Sequence, residues 1–222
     1  MSLDLVASPE PVYSAPLPLR ESKPSILSNI YQSERNIAIW QRTLSTTMTQ
    51  DINQMLFEGR PLALVQSVTP NNAADWIRNK LDEYACADAL ATDIALIVDM
   101  FCCLFDVEEG GLRLTNLDSP MCPKFHVDHV PCRLVTTYVG SATEWLENKG
   151  IDRSKLGAGS LGKPDNLSGL YGGETEIQTM KAGDVALLKG SGWEGNENSG
   201  LVHRSPAVGT NERRLLLTLD FV

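Results

Sequence analysis

The chain is poor in the residues and patterns that announce most chemistries. Only three of its 222 residues are histidine. No apolar run is long enough to span a bilayer: the longest, residues 94–105, is interrupted by Asp99. There is no excess of positive charge. A net charge of −9 argues against broad binding to nucleic acid or anionic membrane, since both need a basic face. A local basic pocket is still allowed. The first five residues (Met1, Ser2, Leu3, Asp4, Leu5) carry no basic stretch followed by an apolar one, so no secretory signal is expected. The five cysteines (Cys86, Cys102, Cys103, Cys122 and Cys132) are odd in number and include an adjacent pair. They are expected to be free thiols in a reducing cytoplasm. There is no nucleophile elbow and no dinucleotide fingerprint. Residues 169–173 lack the Gly-Lys-Ser/Thr context of a phosphate loop.

What is present divides the chain in two. Residues 1–30 hold Pro9, Pro11, Pro16, Pro18 and Pro24 and are expected to form an extended N-terminal arm. Residues 31–110 form a mainly helical region. A helix over 47–57 is stopped by Gly59, and residues 62–68 have the character of a strand. Ala73, Trp76, Ile77, Lys80, Leu81 and Tyr84 share one helical face, with Asn72 as the expected N-cap. Residues 89–105 are apolar nearly all round and predict a buried helix. After Glu108-Glu109-Gly110-Gly111 the pattern becomes short β-type runs at 112–117, 124–127, 133–139, 176–180, 185–189, 201–204 and 215–221, separated by turn residues. Residues 147–173 predict a long loop of the kind that often forms a lid. The expected fold class is α+β: a helical N-terminal half packed on a C-terminal jelly roll over 111–222, in one structural unit.

Within the β-rich half, two of the three histidines fall into a pattern. His126 and Asp128 are two apart, so on a strand they face the same way. His203 lies on another expected strand. Two imidazoles and one carboxylate on one face of an octahedron leave three positions open, which suits Fe(II) chemistry better than a closed zinc site. Ten and eleven residues beyond His203, Arg213 and Arg214 open an apolar strand. An inward-facing arginine there needs a carboxylate partner. Alternation groups Arg213 with Leu215, Leu217 and Leu219, and Arg214 with Leu216, Thr218 and Asp220. The more polar second face favours Arg214, with Thr218 beside it. The spacing from His203 admits either arginine.

The pattern His126-x-Asp128, His203 and Arg213/Arg214 resembles the 2-oxoglutarate/Fe(II)-dependent oxygenase superfamily, which is built on the double-stranded β-helix. The likeness covers about 112–222. The wording of residues 123–131 and 133–140, with Thr143-Glu144-Trp145, also resembles a bacterial family known only as a domain of unknown function. The oxygenase resemblance implies that His126, Asp128 and His203 bind Fe(II). It also implies that a 2-oxo acid such as 2-oxoglutarate chelates the iron and that an arginine at the start of the last strand grips its distal carboxylate. Arg213 and Arg214 are each followed two positions on by Leu, where some branches carry a small hydroxyl residue.

Other side chains near the motif bear on the alternatives. Thr137 or Tyr138, on the strand after it, is a candidate to hydrogen-bond the co-substrate. His129 is expected at the rim. Cys122 and Cys132 flank the motif, so a cupin-like protein holding Zn(II) or another divalent metal, without oxygenase activity, is the rival reading. The sequence thus predicts a cytoplasmic oxygenase that hydroxylates or oxidatively demethylates a small molecule or a protein side chain, with no nucleic-acid or membrane partner.

Overall fold

The structure is a computed structural model that describes residues 19–58, 60–210 and 212–222. The first eighteen residues of the expected arm, and the Gly59 expected to end the first helix, lie outside them. Where it is described, the arm is not simply extended. Arg20–Glu21 (β1) pairs with Ile37–Trp40 (β2), and Pro24–Tyr31 is a 3-10 helix that buries Ile26, Leu27 and Ile30. Those three apolar residues lie on one face, which the surrounding prolines obscure in the sequence.

Helix α1 (Thr46–Phe57) starts where the Ser45 hydroxyl accepts the Met48 N–H at 3.1 Å, and it buries Met48, Ile52, Met55 and Leu56. Helix α2 is Ala73–Lys80. Asn72 does not cap it: its side-chain oxygen turns back to accept the Thr69 N–H at 2.9 Å. Helix α3 (Ala87–Phe105) is not buried all round as its composition predicts. One face carries Leu90, Ile94, Ile97, Val98 and Phe101, whereas Leu96 on the other is 48% exposed. The helix lies on a sheet and so has one face to bury.

The remaining strands are β3 (Ala63–Val68), β4 (Gly110–Leu117), β5 (Cys132–Val139), β6 (Glu144–Leu146), β7 (Ile177–Thr179), β8 (Val185–Lys189), β9 (Val202–Arg204) and β10 (Arg214–Asp220). They make two sheets, a large one in the order β1-β2-β8-β5-β10-β4-β3 and a small one in the order β7-β6-β9. From β4 onward the chain passes back and forth between the two. The residues expected to be a strand at 124–127 contribute only an isolated bridge, His126 with His203, at the edge of the small sheet. Pro123 and Pro131 on either side offer no N–H for a longer ladder. Of the two strands that the mainly helical region contributes to the large sheet, β3 is the one expected at 62–68, whereas β2 has no counterpart among the expected elements. Short apolar runs such as Ile37–Trp40 carry no periodicity that separates strand from helix.

The large sheet has a different core on each face. On one, Leu215, Leu217 and Leu219 of β10 join Leu112, Leu114 and Leu134 in a cluster with the buried faces of α1, α2, α3 and the 3-10 helix. On the other, Ile37, Ile39, Val135, Ala186, Leu188 and Leu216 pack against Trp145 of the small sheet. The expected loop at 147–173 contains short helical turns, including α4 (Asp165–Ser168). Its Leu170 and Tyr171 pack with Phe125, Leu146 and Val202. Among the described residues no helix is long and apolar enough to cross a membrane.

Candidate metal centre

The space between the two sheets holds His126, Asp128, His203 and Arg214 of the charged residues picked out by the sequence. His203 is central in β9, and Trp145 and His126 are its cross-strand neighbours. His126 and His203 exchange both backbone hydrogen bonds, each 3.0 Å, so their rings lie side by side with centroids 4.6 Å apart. Each ring is also turned by a local contact. The Nδ1 of His126 is 2.9 Å from the Lys124 carbonyl, and that of His203 is 3.2 Å from the Leu201 carbonyl. A carbonyl only accepts, so each Nδ1 carries the proton and each Nε2 presents its lone pair.

Both Nε2 atoms face Asp128. Its Oδ1 is 3.7 Å from His126 Nε2 and its Oδ2 is 3.5 Å from His203 Nε2. The ligand atoms of the three residues all lie within 4.8 Å of one another. Cis ligands bound at about 2.1 Å to one ion are about 3 Å apart, so small side-chain rotations would bring all three onto a metal. Burial pushes the His203 imidazole down to about pH 4 in its titration, against the pull of Asp128. The ring is therefore neutral near pH 7, as a ligand must be.

The Asp128 backbone is held by the chain between β8 and β9. Ser191 N–H donates to the Asp128 carbonyl at 2.9 Å, and Gly190 N–H to that of Pro131 at 2.8 Å. A Cβ at position 190 would sit 2.0 Å from the Val130 carbonyl oxygen, so only glycine lets the two segments meet. The carboxylate is held by a residue absent from the sequence-based set. Arg133 Nη1 donates to Asp128 Oδ2 at 2.8 Å, while its Nε and Nη2 grip both oxygens of Asp220 at 2.7 and 2.9 Å. Arg133 is the second residue of β5, five residues after Asp128. An alternating strand there puts it on the inner face, which is the one signal the sequence offered.

The two arginines separated by alternation are also separated in space. Arg214 faces inward with Leu216 and Thr218 and is 0% exposed; its Nε, Nη1 and Nη2 find no hydrogen-bond partner among the described residues. Burial pushes its titration downward, against the pull of Glu212 and Glu144. The strand can start there because Gly140 faces it: a Cβ at 140 would lie 2.5 Å from the Arg213 carbonyl and 2.8 Å from the Arg214 side chain. Arg213 points the other way. It lines a groove with Gln50, Asn53 and Phe57 beside α1, on the helical side of the sheet, and is not at the triad. Thr218 and Leu216 line a cavity of 60 Å³ together with His126, His203, Arg133 and Thr143. A larger groove of 470 Å³ is also lined by His126.

Tyr138 is a correction. It belongs to the helical-side core, where its hydroxyl donates to Asp93 Oδ2 at 2.7 Å. Tyr138 shares the face of Cys132 and Leu134, in step with strand alternation; the shift in the pairing of β5 with β10 between Leu215 and Leu216 puts Val139 on that face as well. Thr137, opposite Leu216, is on the inner face. Cys132 is buried in the same helical-side core as Tyr138, and cannot join the triad. Cys122 is exposed and lines the small cavity. His129 sits at the rim, its Nδ1 3.1 Å from Ser191 Oγ. Trp193 packs on Tyr31 and Phe105, away from the site.

The model of a family described as "Protein of unknown function (DUF1826)" matches residues 21–220, nearly the whole chain. The chain belongs to this family. The triad, Arg133 and Arg214 of this DUF1826 protein all lie inside the matched span. No curated protein matches it. Similar solved structures include the dioxygenase for auxin oxidation from rice, at 12% identity, 86% of this chain, 74% of that one and a TM-score of 0.46. A prolyl-4-hydroxylase from Pseudomonas putida matches at 12% identity over 89% and 96%, with a TM-score of 0.42. Apo HygX from Streptomyces hygroscopicus matches at 10% identity over 89% and 85%, with a TM-score of 0.47.

Proposed function

We propose that this protein is an Fe(II)- and 2-oxo-acid-dependent oxygenase, built on a double-stranded β-helix, that hydroxylates or oxidatively demethylates a small molecule or a protein side chain. The observation that carries the reading is the pairing of two features on facing sheets. One is the set of two outward Nε2 lone pairs and one carboxylate. The other is a fully buried guanidinium with no partner, on the strand face that lines the adjoining cavity. A buried, unpaired arginine is costly and is matched by a carboxylate supplied from outside.

In this reading His126, Asp128 and His203 hold Fe(II) as a facial triad, which leaves positions open for co-substrate and oxygen. Iron bound with a 2-oxo acid supplies the activation of oxygen. The chain's own residues do the rest. Arg214 orients the acid through its distal carboxylate, with Thr218 on the same face. Arg133 fixes the Asp128 carboxylate through its hydrogen bond to Oδ2. Trp145, Val135 and Leu216 keep the space between the sheets dry. The five cysteines are free, in keeping with a cytoplasmic protein.

Anaerobic titration of the protein with Fe(II) and then 2-oxoglutarate tests this. A weak visible charge-transfer band is expected in the wild type and is expected to vanish in His203→Ala. A protein that retains one equivalent of zinc and gives no band or response with 2-oxoglutarate would instead be a divalent-metal-binding protein without oxygenase chemistry.

A further inference from the structure

Two of the guanidinium groups near the triad are neutralised. Arg133 is shared by Asp128 and Asp220, and Arg204 by Glu144 and Asp165. Arg214 has no hydrogen-bond partner among the described residues and is accounted for above by the co-substrate. The fourth, Arg153, lines the 470 Å³ groove together with His126, His129, Ser191 and Glu197. Among the described residues it forms no ion pair.

Arg153 is nevertheless held in one place. Its Nη2 donates to the Gly200 carbonyl at 2.7 Å and to the Asn148 side-chain oxygen. That oxygen also accepts from the Asn36 side chain at 3.0 Å, and Asn36 in turn donates to the Ser199 carbonyl. All these contacts are with neutral acceptors. The neighbouring Asp152 is engaged elsewhere, its Oδ1 accepting from the Ser154 N–H and hydroxyl. Glu197, the acid lining the groove, accepts from Gly195 N–H at 3.0 Å. Partial burial pulls the Arg153 titration down. A preorganised guanidinium without an anion, in a chain of net charge −9, is a recognition group rather than a fold-stabilising ion pair.

We infer that the groove beside His126 is the substrate site and that Arg153 binds an anionic group, a carboxylate or a phosphate, on the substrate. The inference rests on the metal-centre reading, because the groove meets the triad through His126. It places two cations that form no ion pair among the described residues on different ligands: Arg214 on the co-substrate and Arg153 on the molecule to be oxidised.

The test is calorimetric binding of phenyl phosphate and of benzoate, with uncharged benzyl alcohol as the control, to the full metal-free chain. One or both anions are expected to bind and benzyl alcohol is not; the tighter anion names the group recognised. Arg153→Gln is expected to weaken anion binding about tenfold or more, and Arg153→Lys to restore part of it. Arg214→Met and Arg113→Gln, the latter at an exposed position of β4, are expected to leave it unchanged. A thermal melt of each variant reports folding. Failure of the wild type to bind either anion overturns the inference. So does undiminished binding by folded Arg153→Gln, or loss on Arg214→Met instead. Because no metal or 2-oxo acid is present, these outcomes are separate from success or failure of the Fe(II) titration.

Discussion

A fully buried guanidinium that meets no acceptor lowers the stability of the protein that contains it. Arg214 is such a group, and its retention at the start of β10 is the strongest residue-level sign of a ligand. Replacing it with Met keeps much of the volume and removes the charge. Arg214→Met is therefore expected to stabilise the ligand-free protein, by on the order of 1–4 kcal/mol, while abolishing the thermal shift produced by 2-oxoglutarate. Urea unfolding and melts with and without the acid measure both; a destabilised variant that still responds to the acid would refute the assignment. Arg133 is the opposite case, a charge with partners on two sides. It fixes one oxygen of Asp128 and is itself fixed by Asp220. Groups that orient a metal ligand typically contribute 10–100-fold to affinity, so Arg133→Gln is expected to weaken Co(II) binding by about that factor. An unchanged cobalt isotherm in a folded variant would show that the ion pair is structural only.

At the scale of elements, the site depends on strands whose identity was legible and on registers that were not. Alternation along β10 was readable from Leu215, Leu217 and Leu219, because three leucines on one face leave little choice of inside and outside. In β5 the same alternation sets Tyr138 on the helical face with Cys132 and Leu134, so of the two candidates Thr137 and Tyr138 only Thr137 faces inward; Val139 alone departs from it, at a bulge that has no signature in the run Thr136-Thr137-Tyr138-Val139. His126 was recognisable as a candidate ligand although its expected strand shrinks to one bridge, since the bridge alone sets its ring beside His203. Arg133 and Arg153 were not legible because each is fixed by a near neighbour, Asp128 or Asn148, together with a partner distant in sequence, Asp220 or Gly200, and the sequence does not show that the two meet. What Tyr138 does instead is tie β5 to α3. Its hydroxyl and the Arg42 guanidinium both bind Asp93, Arg42 through two bonds of 2.5 and 2.9 Å. Asp93→Ala leaves a part-buried arginine and a buried phenol without their acceptor, and is expected to cost roughly 3–5 kcal/mol in urea unfolding. Tyr138→Phe is expected to cost about 1 kcal/mol and to leave the Fe(II)/2-oxoglutarate band unaltered. A band lost in Tyr138→Phe would return that residue to the site.

At the scale of the whole molecule the two sheets are unequal. The large sheet has seven strands and a core on both faces, including the helices. The small sheet has strands of only three residues each, and the metal ligands sit at its edge. An ion held by His126, Asp128 and His203 would join that edge to the Asp128 segment and, through Arg133, to β5 and β10. A ligand that binds only the folded state adds stability by mass action, about 2.7 kcal/mol at a hundredfold excess over its Kd. The gain should not be spread evenly, because local opening is governed by the local contacts that must break. Hydrogen exchange is therefore expected to slow on adding Co(II) in β6, β9 and residues 124–130, and to change little in β4 and β10, which are already held by full ladders on both sides. Asp128→Ala should remove the effect everywhere. Uniform slowing across both sheets would mean that the ion acts on global unfolding and that the small sheet is not a separately opening unit. No slowing in the wild type would mean that the three residues do not hold the ion together.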